Sequence, residues 1–487
     1  MKRYWSLAAF GCAVLSVAAV WLGGLNQDEG WYLYAAQLVA EGKAPYRDFF
    51  YTQAPVMPMV YSAFAWVWRA HGLLGARIFT LTIGLLGVVF ACALAYRLTP
   101  PRWRPQAAVA VLLLLGSNLY HIYYIAIPKT YALASLFVLA GFYLLSFAVE
   151  RGRRFAPAYA VAAGLSLAFA AGSRISLGIL LAIVGFWLLF TFRRTRWAFL
   201  WFGIGGTLGL AVAYGPFLVD PASRAGLIAA QTYHTSREGF SPVFTIGSVS
   251  RLVRWYLPMF IMLGLGGFRS VRLLGIAFLS VFIVQMLAPF PYEDYQVPVM
   301  GILAAYVSVN FFSRLDERNV KPSTRPLLLI IGLAWACSFG SPLLEKWTTN
   351  GQDRFWTLKK DKCELAQLRD VARLIEKEDP GGKTLLTQDL YIAVETGRKV
   401  PEGLEMGPFS MLKDEEWRKL LTSAPCPIAA LSGYSFAIDP PGCGRAPIER
   451  ELSYWMLLKK DYDPLTKVDA FGQNATSLMI LKRKAAK

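Results

Sequence analysis

The chain has 487 residues, of which 55% are hydrophobic and 17% are charged. A soluble domain carries about 25% charged residues, so this composition favours a lipid environment. The formal net charge is +18, but the basic residues stand in short clusters between apolar runs, which argues against a nucleic-acid groove and for membrane topology signals.

Apolar runs of membrane-spanning length recur along the first two-thirds of the chain. A bilayer core about 30 Å thick needs roughly 20 apolar residues per helix. The predicted spans lie at about 4–24, 78–96, 106–122, 131–149, 156–172, 176–192, 197–216, 252–268, 271–288, 298–313 and 326–344. We therefore expect an all-α polytopic membrane domain over residues 1–345, with about eleven transmembrane helices.

A shorter apolar run at 56–68 decides the orientation of everything after it. If this run does not cross, all the later basic loops fall on the same side as Lys2 and Arg3, as the positive-inside rule requires. We therefore predict an interfacial or re-entrant helix at 56–70 on the outer side. The protein is then a multi-pass protein of the inner (plasma) membrane, with its N-terminus in the cytoplasm and its C-terminus outside.

The last 140 or so residues differ from the rest, because charged residues become frequent and the hydrophobic pattern shortens. The patterning predicts helices at 363–378, 415–421 and 448–459, and strands at 384–388, 428–431 and 477–481. We expect a small extracytoplasmic α/β domain over residues 346–487.

Cysteine and histidine usage gives no support for a metal site. The six cysteines form no CxxC pair, and three histidines cannot build a local ligand set. No cofactor is expected, although carboxylates could bind a divalent cation without anything demanding it. Because disulfides are permitted outside the cytoplasm, we expect a bridge between Cys426 and Cys443, with Cys363 left free.

The first loop, which we define as residues 25–77, holds the densest group of reactive side chains. Asp28 and Glu29 immediately follow the first predicted span, and Tyr46, Arg47 and Asp48 come later in a run rich in aromatic residues. Carboxylates among aromatic side chains are typical of a polar pocket with an apolar wall. The alternative is a pair of ordinary solvated loop acids.

This loop also carries a resemblance to a known family. It combines Asp28-Glu29, an aromatic helix, the run Gly42-Lys43-Ala44-Pro45-Tyr46-Arg47-Asp48 and an apolar helix led by Ala54-Pro55, where the family has Pro-Pro. The order resembles the opening of the dolichyl- or polyprenyl-phosphate-dependent glycosyltransferases of the C superfamily. The nearest branch is the bacterial one related to protein O-mannosyltransferases and the lipid A aminoarabinose transferase. The resemblance covers roughly residues 1–340, and it implies a site facing away from the cytoplasm with Asp28 as base or acceptor-positioning residue.

Solitary basic residues at predicted span ends are candidates for binding the phosphate of the donor. Arg77, Lys129 and Arg174 are each flanked by apolar sequence, and an isolated cation there is costly unless it is paired or functional. A leaving polyprenyl phosphate gains negative charge, which fixed cations stabilise. Arg47 is a fourth candidate for this role. Snorkelling of these side chains to the lipid headgroups is the alternative.

Aromatic and acidic side chains are candidates for the sugar or acceptor pocket, because carbohydrate sites combine planar rings with carboxylates. The candidates are Tyr46, Asp48, Tyr124, Tyr292, Glu293 and Asp294. The tyrosines near 124 could instead form an interfacial aromatic belt, and residues 290–295 could be a plain turn.

Together these features predict an inverting glycosyltransferase with Asp28 as the base and Glu29 as its support. It would move a sugar from a polyprenyl-phosphate carrier to a hydroxyl of a glycan, lipid or protein acceptor, in contact with membrane lipids and without nucleic acid. The chain has no Gly-rich phosphate loop that would indicate a nucleotide donor. Two alternatives stay open: a transporter or flippase of a lipid-linked glycan, and a non-catalytic receptor or assembly subunit.

The topology is testable with reporter fusions. A reporter fused after Arg104 should report the cytoplasm, and one fused after Lys346 should report the outside, because only this arrangement satisfies the positive-inside rule. The opposite location for both reporters would contradict the eleven-span arrangement.

Overall fold

The computed structural model describes residues 2–150, 154–191, 197–235, 241–288, 291–339, 362–410, 412–423, 426–433, 449–473 and 476–484. Their contacts divide the chain into two compact units. Unit 1 comprises Met1–Ala19, Thr52–Met57 and Thr80–Leu344. Unit 2 comprises Val20–Tyr51, Pro58–Phe79 and Glu345–Lys487. Most of the first loop thus belongs to the same unit as the C-terminal residues, while the predicted domain boundary at 345 stays a prediction.

The described part of the chain is mainly helical. The helices that precede residue 340 are α1 Lys2–Leu22, α2 Gln27–Ala40, α3 Val56–Ala63, α4 Ala65–Trp68, α5 Gly72–Leu98, α6 Arg104–Gly116, α7 Leu119–Ala126, α8 Thr130–Ala148, α9 Ala156–Ser173, α10 Ile179–Phe190, α11 Ala198–Val219, α12 Pro221–Thr235, α13 Pro242–Gly266, α14 Arg272–Met286, α15 Val297–Glu317 and α16 Arg325–Phe339.

Six helical segments among the described residues are long and apolar enough to cross a membrane. They are Trp5–Leu22, Ala65–Leu98, Thr130–Ala148, Ala156–Ser173, Ala198–Val219 and Glu293–Glu317. Several other predicted spans correspond to shorter apolar helices, such as Ile175–Phe190 and Arg272–Met286. The protein is therefore a multi-pass membrane protein, while the count of eleven spans and the orientation stay predictions. At 56–70 the chain forms α3 and α4, of eight and four residues, and enters a 3-10 turn at Arg69–His71. A helix of eight residues reaches about 12 Å.

The span predicted at 106–122 is a bent pair of helices instead of one straight helix. The segments Pro101–Gly116 and Leu119–Ala126 meet at an angle of 73°. Asn118 begins the second helix, because its side chain accepts a hydrogen bond from the backbone N–H of His121. An N-cap of this kind satisfies donors that have no partner within their own helix, so it starts a new helix at that point.

Two helices of unit 1, α9 and α11, approach each other closely through glycine. A Cβ added at Gly164 would lie 2.2 Å from the Phe202 carbonyl oxygen, and one added at Gly205 would lie 2.1 Å from that of Val161. Small residues let helix backbones pack closely where lipid offers no hydrophobic driving force.

The C-terminal residues of unit 2 combine helices with a small sheet. The elements are α17 Glu364–Glu378, α18 Leu390–Thr396, α19 Asp414–Ser423, β1 Ile428–Ser432, α20 Glu449–Asp461, β2 Tyr462–Phe471 and β3 Thr476–Arg483. The strands are antiparallel in the order β1-β3-β2. The three predicted helices and two of the three predicted strands are confirmed.

The strand predicted at 384–388 is wrong, and one strand was not predicted. Residues Thr384 and Leu386 make only isolated bridges, to Lys399 and Ala429. The unpredicted strand, β2, lies at the edge of the sheet and has an irregular register next to Pro464. Proline and aspartate are depleted in strands and tolerated mainly at edges, so β2 lacks the usual sequence signal.

The predicted bridge between Cys426 and Cys443 is not tested. Among the described residues, neither Cys426 nor Cys363 has a disulfide partner. Cys443 lies outside the described residues, so the pairing stays a prediction.

The glycine packing gives a prediction with an internal control on the same helix. Gly205→Ala should destabilise the protein by about 1–3 kcal/mol, because the new methyl group overpacks the contact with α9. Gly203→Ala should be neutral or stabilising by up to about 1 kcal/mol, since a Cβ there meets nothing within 4 Å and alanine favours helix. Thermal unfolding of both purified variants in detergent would measure this. Equal effects of the two substitutions would contradict the close packing.

Candidate functional site

The first turn of α2 carries the predicted catalytic carboxylate. Asn26 caps the helix: its side chain accepts from the backbone N–H of Asp28 at 3.0 Å, and the Glu29 side chain accepts from the backbone N–H of Asn26 at 2.9 Å. The indole N–H of Trp31 donates to Asp28 Oδ1 at 3.0 Å. Asp28 is half-buried, so a locally built cap orients a carboxylate that keeps part of its surface accessible.

Glu29 forms a fully buried ion pair with Arg77, and both side chains are 0% exposed. Arg77 Nε and Nη2 each donate to a Glu29 carboxylate oxygen at 2.7 Å. The remaining N–H groups donate to the carbonyl oxygens of Val20, Gly23 and Gly24 at 2.9–3.0 Å. All five guanidinium donors are therefore used, which is what a buried arginine requires.

This arrangement bears on two predicted roles. Arg77 holds the polypeptide between the first helix and α2, and Glu29 neutralises it. The predicted contact of Arg77 with a donor phosphate, and the support that Glu29 gives to Asp28 in catalysis, stay predictions.

Tyr46, Arg47 and Asp48 form a tight turn in the same unit. Tyr46 has a positive φ of 69°, which is strained for a bulky residue, and its ring lies 6.0 Å from that of the buried Tyr51. Arg47 donates to both oxygens of Asp48, at 2.8 and 3.0 Å. These bonds, together with the backbone N–H of Ala44, lower the pKa of Asp48 to about 2. Asp48 is therefore an ionised residue that closes its own turn.

A second cluster lies in unit 1, where Lys129 and Asp294 form a buried pair. Lys129 Nζ lies 3.0 Å from Asp294 Oδ2, and the two side chains are 4% and 6% exposed. The Tyr131 hydroxyl donates to the same oxygen at 2.7 Å. Lys129 Nζ also lies 5.1 Å from the centre of the Tyr131 ring and 5.4 Å from that of Tyr124. Tyr131 contacts four of the predicted site residues, Tyr124, Lys129, Arg174 and Asp294, although it is not itself one of them.

Arg174 lies against the aromatic part of this cluster. Its guanidinium carbon is 4.8 Å from the ring centre of Tyr131 and 4.5 Å from that of Tyr295. The side chain also donates to Thr130 Oγ1 at 3.4 Å, and the residue is half-buried. Stacking on ring faces fixes the plane of a guanidinium while its in-plane N–H groups can still donate.

Glu293 and Tyr292 extend the cluster. Glu293 is bound by Arg251, whose Nε and Nη2 donate at 2.9 and 3.1 Å. The Tyr292 ring packs edge-on at 5.4 Å from Phe244. Arg251 and Tyr295 are further members that sequence reasoning missed. Tyr295 stands beside Asp294 in the sequence and could have been found from that position.

The predicted site residues thus form two groups, one in each unit. Unit 2 holds Asp28, Glu29, Tyr46, Arg47, Asp48 and Arg77, and unit 1 holds Tyr124, Lys129, Arg174, Tyr292, Glu293 and Asp294. Within unit 2, Glu29 and Arg77 contact directly. Within unit 1, the cluster around Tyr131 connects Tyr124, Lys129, Arg174 and Asp294.

Comparison with known proteins identifies the fold. No family model matches the sequence, and no curated protein matches it. Among solved structures, ArnT from Cupriavidus metallidurans in the apo state matches with a TM-score of 0.63 and 13% identity, over 98% of this chain and 98% of that chain. ArnT bound to undecaprenyl phosphate matches with a TM-score of 0.61 and 14% identity, over 98% and 97% of the two chains.

The chain has the fold of ArnT. The oligosaccharyltransferase of Archaeoglobus fulgidus, in complex with Zn and sulfate, matches more distantly, with a TM-score of 0.54 and 12% identity over 96% of this chain and 72% of that one. These matches confirm, at the level of the fold, the resemblance carried by the first loop.

The described residues offer no ready-made metal centre. No group of three or more His, Cys, Asp or Glu side chains in the described part of the chain is placed to hold an ion. Glu293 and Asp294, adjacent in the second cluster, each already have a cationic partner. The described contacts of this cluster are paired charges and aromatic faces.

The buried pair in unit 2 predicts a large difference between two arginines of the first loop. Arg77→Met should cost about 3–5 kcal/mol of stability, because it leaves Glu29 as a buried unpaired charge. Arg47→Met should cost no more than about 1 kcal/mol, since its partner is the exposed Asp48 and Arg47 itself is 49% exposed. Thermal unfolding in detergent measures both. A loss of stability for Arg77→Met no larger than that for Arg47→Met would contradict the buried ion pair.

Proposed function

We propose that the protein transfers a sugar from a polyprenyl-phosphate carrier to an acceptor hydroxyl on the extracytoplasmic face of the membrane, with Asp28 as the general base. The proposal rests on one observation: two adjacent carboxylates differ in burial and in their hydrogen-bond partners. Glu29 is sealed by Arg77, whereas Asp28 is capped, oriented by Trp31 and half-buried. The carboxylate of a general base must be held in a defined orientation and must still come within hydrogen-bond reach of the substrate hydroxyl.

The fold supports the choice of donor class. ArnT has the same fold and has been solved with undecaprenyl phosphate bound, and an archaeal oligosaccharyltransferase of related fold has been solved with a dolichol-phosphate. Both ligands are long isoprenoid phosphates. We extend this class to the present chain as its donor carrier.

The reaction follows from the proposed roles. Asp28 accepts the proton of the acceptor hydroxyl as its oxygen attacks the anomeric carbon, and the bond from that carbon to the phosphate oxygen breaks. The polyprenyl phosphate leaves with the bonding electrons. Because one displacement occurs and no protein nucleophile intervenes, the anomeric configuration inverts.

Cations of the unit 1 cluster are proposed to stabilise the leaving phosphate. Arg174 stacks on two tyrosine rings and is half-buried, which suits an in-plane contact with phosphate oxygens. Lys129 lies in the same cluster, balanced by Asp294. We propose Arg174 as the main phosphate contact and Lys129 as a second positive charge in the same cluster.

A transfer assay with a charge-neutral substitution tests the role of Asp28. Membranes from expressing cells are incubated with a panel of radiolabelled undecaprenyl-phosphate sugars, and transfer is measured. Asp28→Asn should lower turnover by about 10²–10⁴-fold, because the amide keeps the shape but accepts no proton. Asp370→Asn, in an exposed pair with Lys362, is the control and should transfer at the parental rate.

Protein abundance separates catalysis from folding in this assay. Asp28→Asn should accumulate normally, since the residue is only half-buried and the amide oxygen can still accept from the Trp31 indole. Glu29→Gln should instead reduce the amount of folded protein, because it leaves Arg77 buried without its counter-charge. Parental transfer by Asp28→Asn at normal abundance would show that this carboxylate is not the base.

A further inference from the structure

Every backbone N–H from residue 25 to residue 29 has a defined hydrogen-bond acceptor. We call residues 20–29 the entry segment, because they lead into α2 and Asp28. Three of these bonds are local: Asn26 N–H donates to Glu29 Oε1 at 2.9 Å, Asp28 N–H to Asn26 Oδ1 at 3.0 Å and Glu29 N–H to the Asn26 carbonyl oxygen at 3.1 Å. The other two are long-range: Leu25 N–H donates to Glu364 Oε2 and Gln27 N–H to Gln473 Oε1, both at 2.6 Å. Two of these acceptors come from the C-terminal residues of the same unit.

The carboxylate of Glu364, which accepts from the backbone N–H of Leu25, is buried. Glu364 is 0% exposed, and burying a carboxylate is costly unless hydrogen bonds compensate for the lost water. It is also the first residue of α17, where the helix dipole favours a negative charge. The N-terminus of α17 therefore presents a stabilised carboxylate to the backbone of Leu25.

The side chain of Gln27 adds a second link to the C-terminal residues. Its amide nitrogen lies 3.3 Å from both the Gln388 carbonyl oxygen and Asp389 Oδ1. Asp389 is itself buried, and burial raises the pKa of its carboxyl. The Tyr391 hydroxyl donates to the same Asp389 oxygen at 3.2 Å. Gln27 thus enters a network built by the segment that begins α18.

Backbone packing leaves little freedom for α2 to shift. A Cβ added at Gly30 would lie 2.3 Å from the backbone nitrogen of Tyr391, so α2 meets α18 at backbone distance. The Tyr34 hydroxyl accepts from the backbone N–H of Val400 at 2.9 Å. Successive turns of α2 are therefore held by the same group of C-terminal residues.

We propose that Glu364 and Gln473 are positioning residues for the transfer reaction. By binding the backbone of the entry segment, they fix the place and direction of the Asp28 carboxylate. The C-terminal residues are on this view part of the catalytic unit. The proposal rests on the proposed function, because it takes Asp28 as the base. A misplacement of about 1 Å in a reacting group can cost about 10²-fold in rate.

Hydrogen exchange tests the holding contact without any substrate. In the full-length protein in detergent, Glu364→Ala should speed exchange of the amides at 25–29 by about tenfold or more, because local opening controls exchange. Glu405→Ala is the matched control. Glu405 is a buried carboxylate of the same unit, 8% exposed, that accepts from the backbone N–H of its neighbour Gly403. Unchanged exchange at 25–29 in Glu364→Ala would overturn the proposal.

Kinetics test whether the contact serves catalysis. With the undecaprenyl-phosphate sugar that the parental protein uses, Glu364→Ala and Gln473→Ala should lower kcat by about 10–100-fold and leave KM unchanged, since positioning acts on the reacting step. Glu405→Ala should keep the parental kcat. Added to Asp28→Asn, Glu364→Ala should cause no further loss of rate, because residues that act through one group are not additive.

The outcomes separate this proposal from the proposed function. Faster exchange with a parental kcat, or a change in KM alone, would reduce Glu364 to a structural contact and overturn the inference. A full additional loss in the double variant would do the same. A parental protein that transfers no sugar from any polyprenyl-phosphate donor would contradict the proposed function, and the inference would then fall with it.

Discussion

The ion pair between Glu29 and Arg77 is the constraint on which the arrangement of Asp28 and its neighbours in unit 2 depends. Both side chains are fully buried. Removing two charges from water costs several kcal/mol per ion, and this cost is offset only if nearly all their hydrogen-bonding groups find partners. Arg77 meets that demand by using all five donors, two on Glu29 and three on carbonyl oxygens between Val20 and Gly24. Lysine could not replace it, because an ammonium has three donors and no planar fork. One guanidinium therefore joins three backbone carbonyls that precede α2 to the side chain of Glu29.

This constraint assigns different roles to two adjacent carboxylates. In a helix, successive residues point about 100° apart, so Asp28 and Glu29 face different surroundings. Glu29 faces Arg77 and closes the capping box, while Asp28 keeps part of its surface accessible beside Trp31. The same contrast recurs in unit 1, where Lys129 is buried against Asp294 and Arg174 lies half-buried on tyrosine rings. In each group one charge is neutralised inside the protein and another keeps accessible surface.

Sequence patterns predicted features that depend on local composition. Apolar runs gave the helices, the amphipathic run at 363–378 gave α17, and the position of Asp28 and Glu29 after the first helix pointed to the first loop. Local patterns could not predict which residues contact each other across the chain. The contact of Leu25 with Glu364, for example, joins residues 339 positions apart. The bend after Gly116 had a local signal in Asn118, an N-cap residue within an apolar run. The edge strand β2 had none, since Pro464 and Asp463 argue against a strand.

The choice of donor tests the account most directly. The purified protein, reconstituted in liposomes with an acceptor-containing lipid and glycan extract, would be given the same radiolabelled sugars either as undecaprenyl-phosphate esters or as nucleotide sugars. We expect Asp28-dependent transfer from one or more of the lipid esters and none from the nucleotide sugars. Equal transfer from the nucleotide sugars, or transfer from the lipid esters that survives Asp28→Asn, would contradict it.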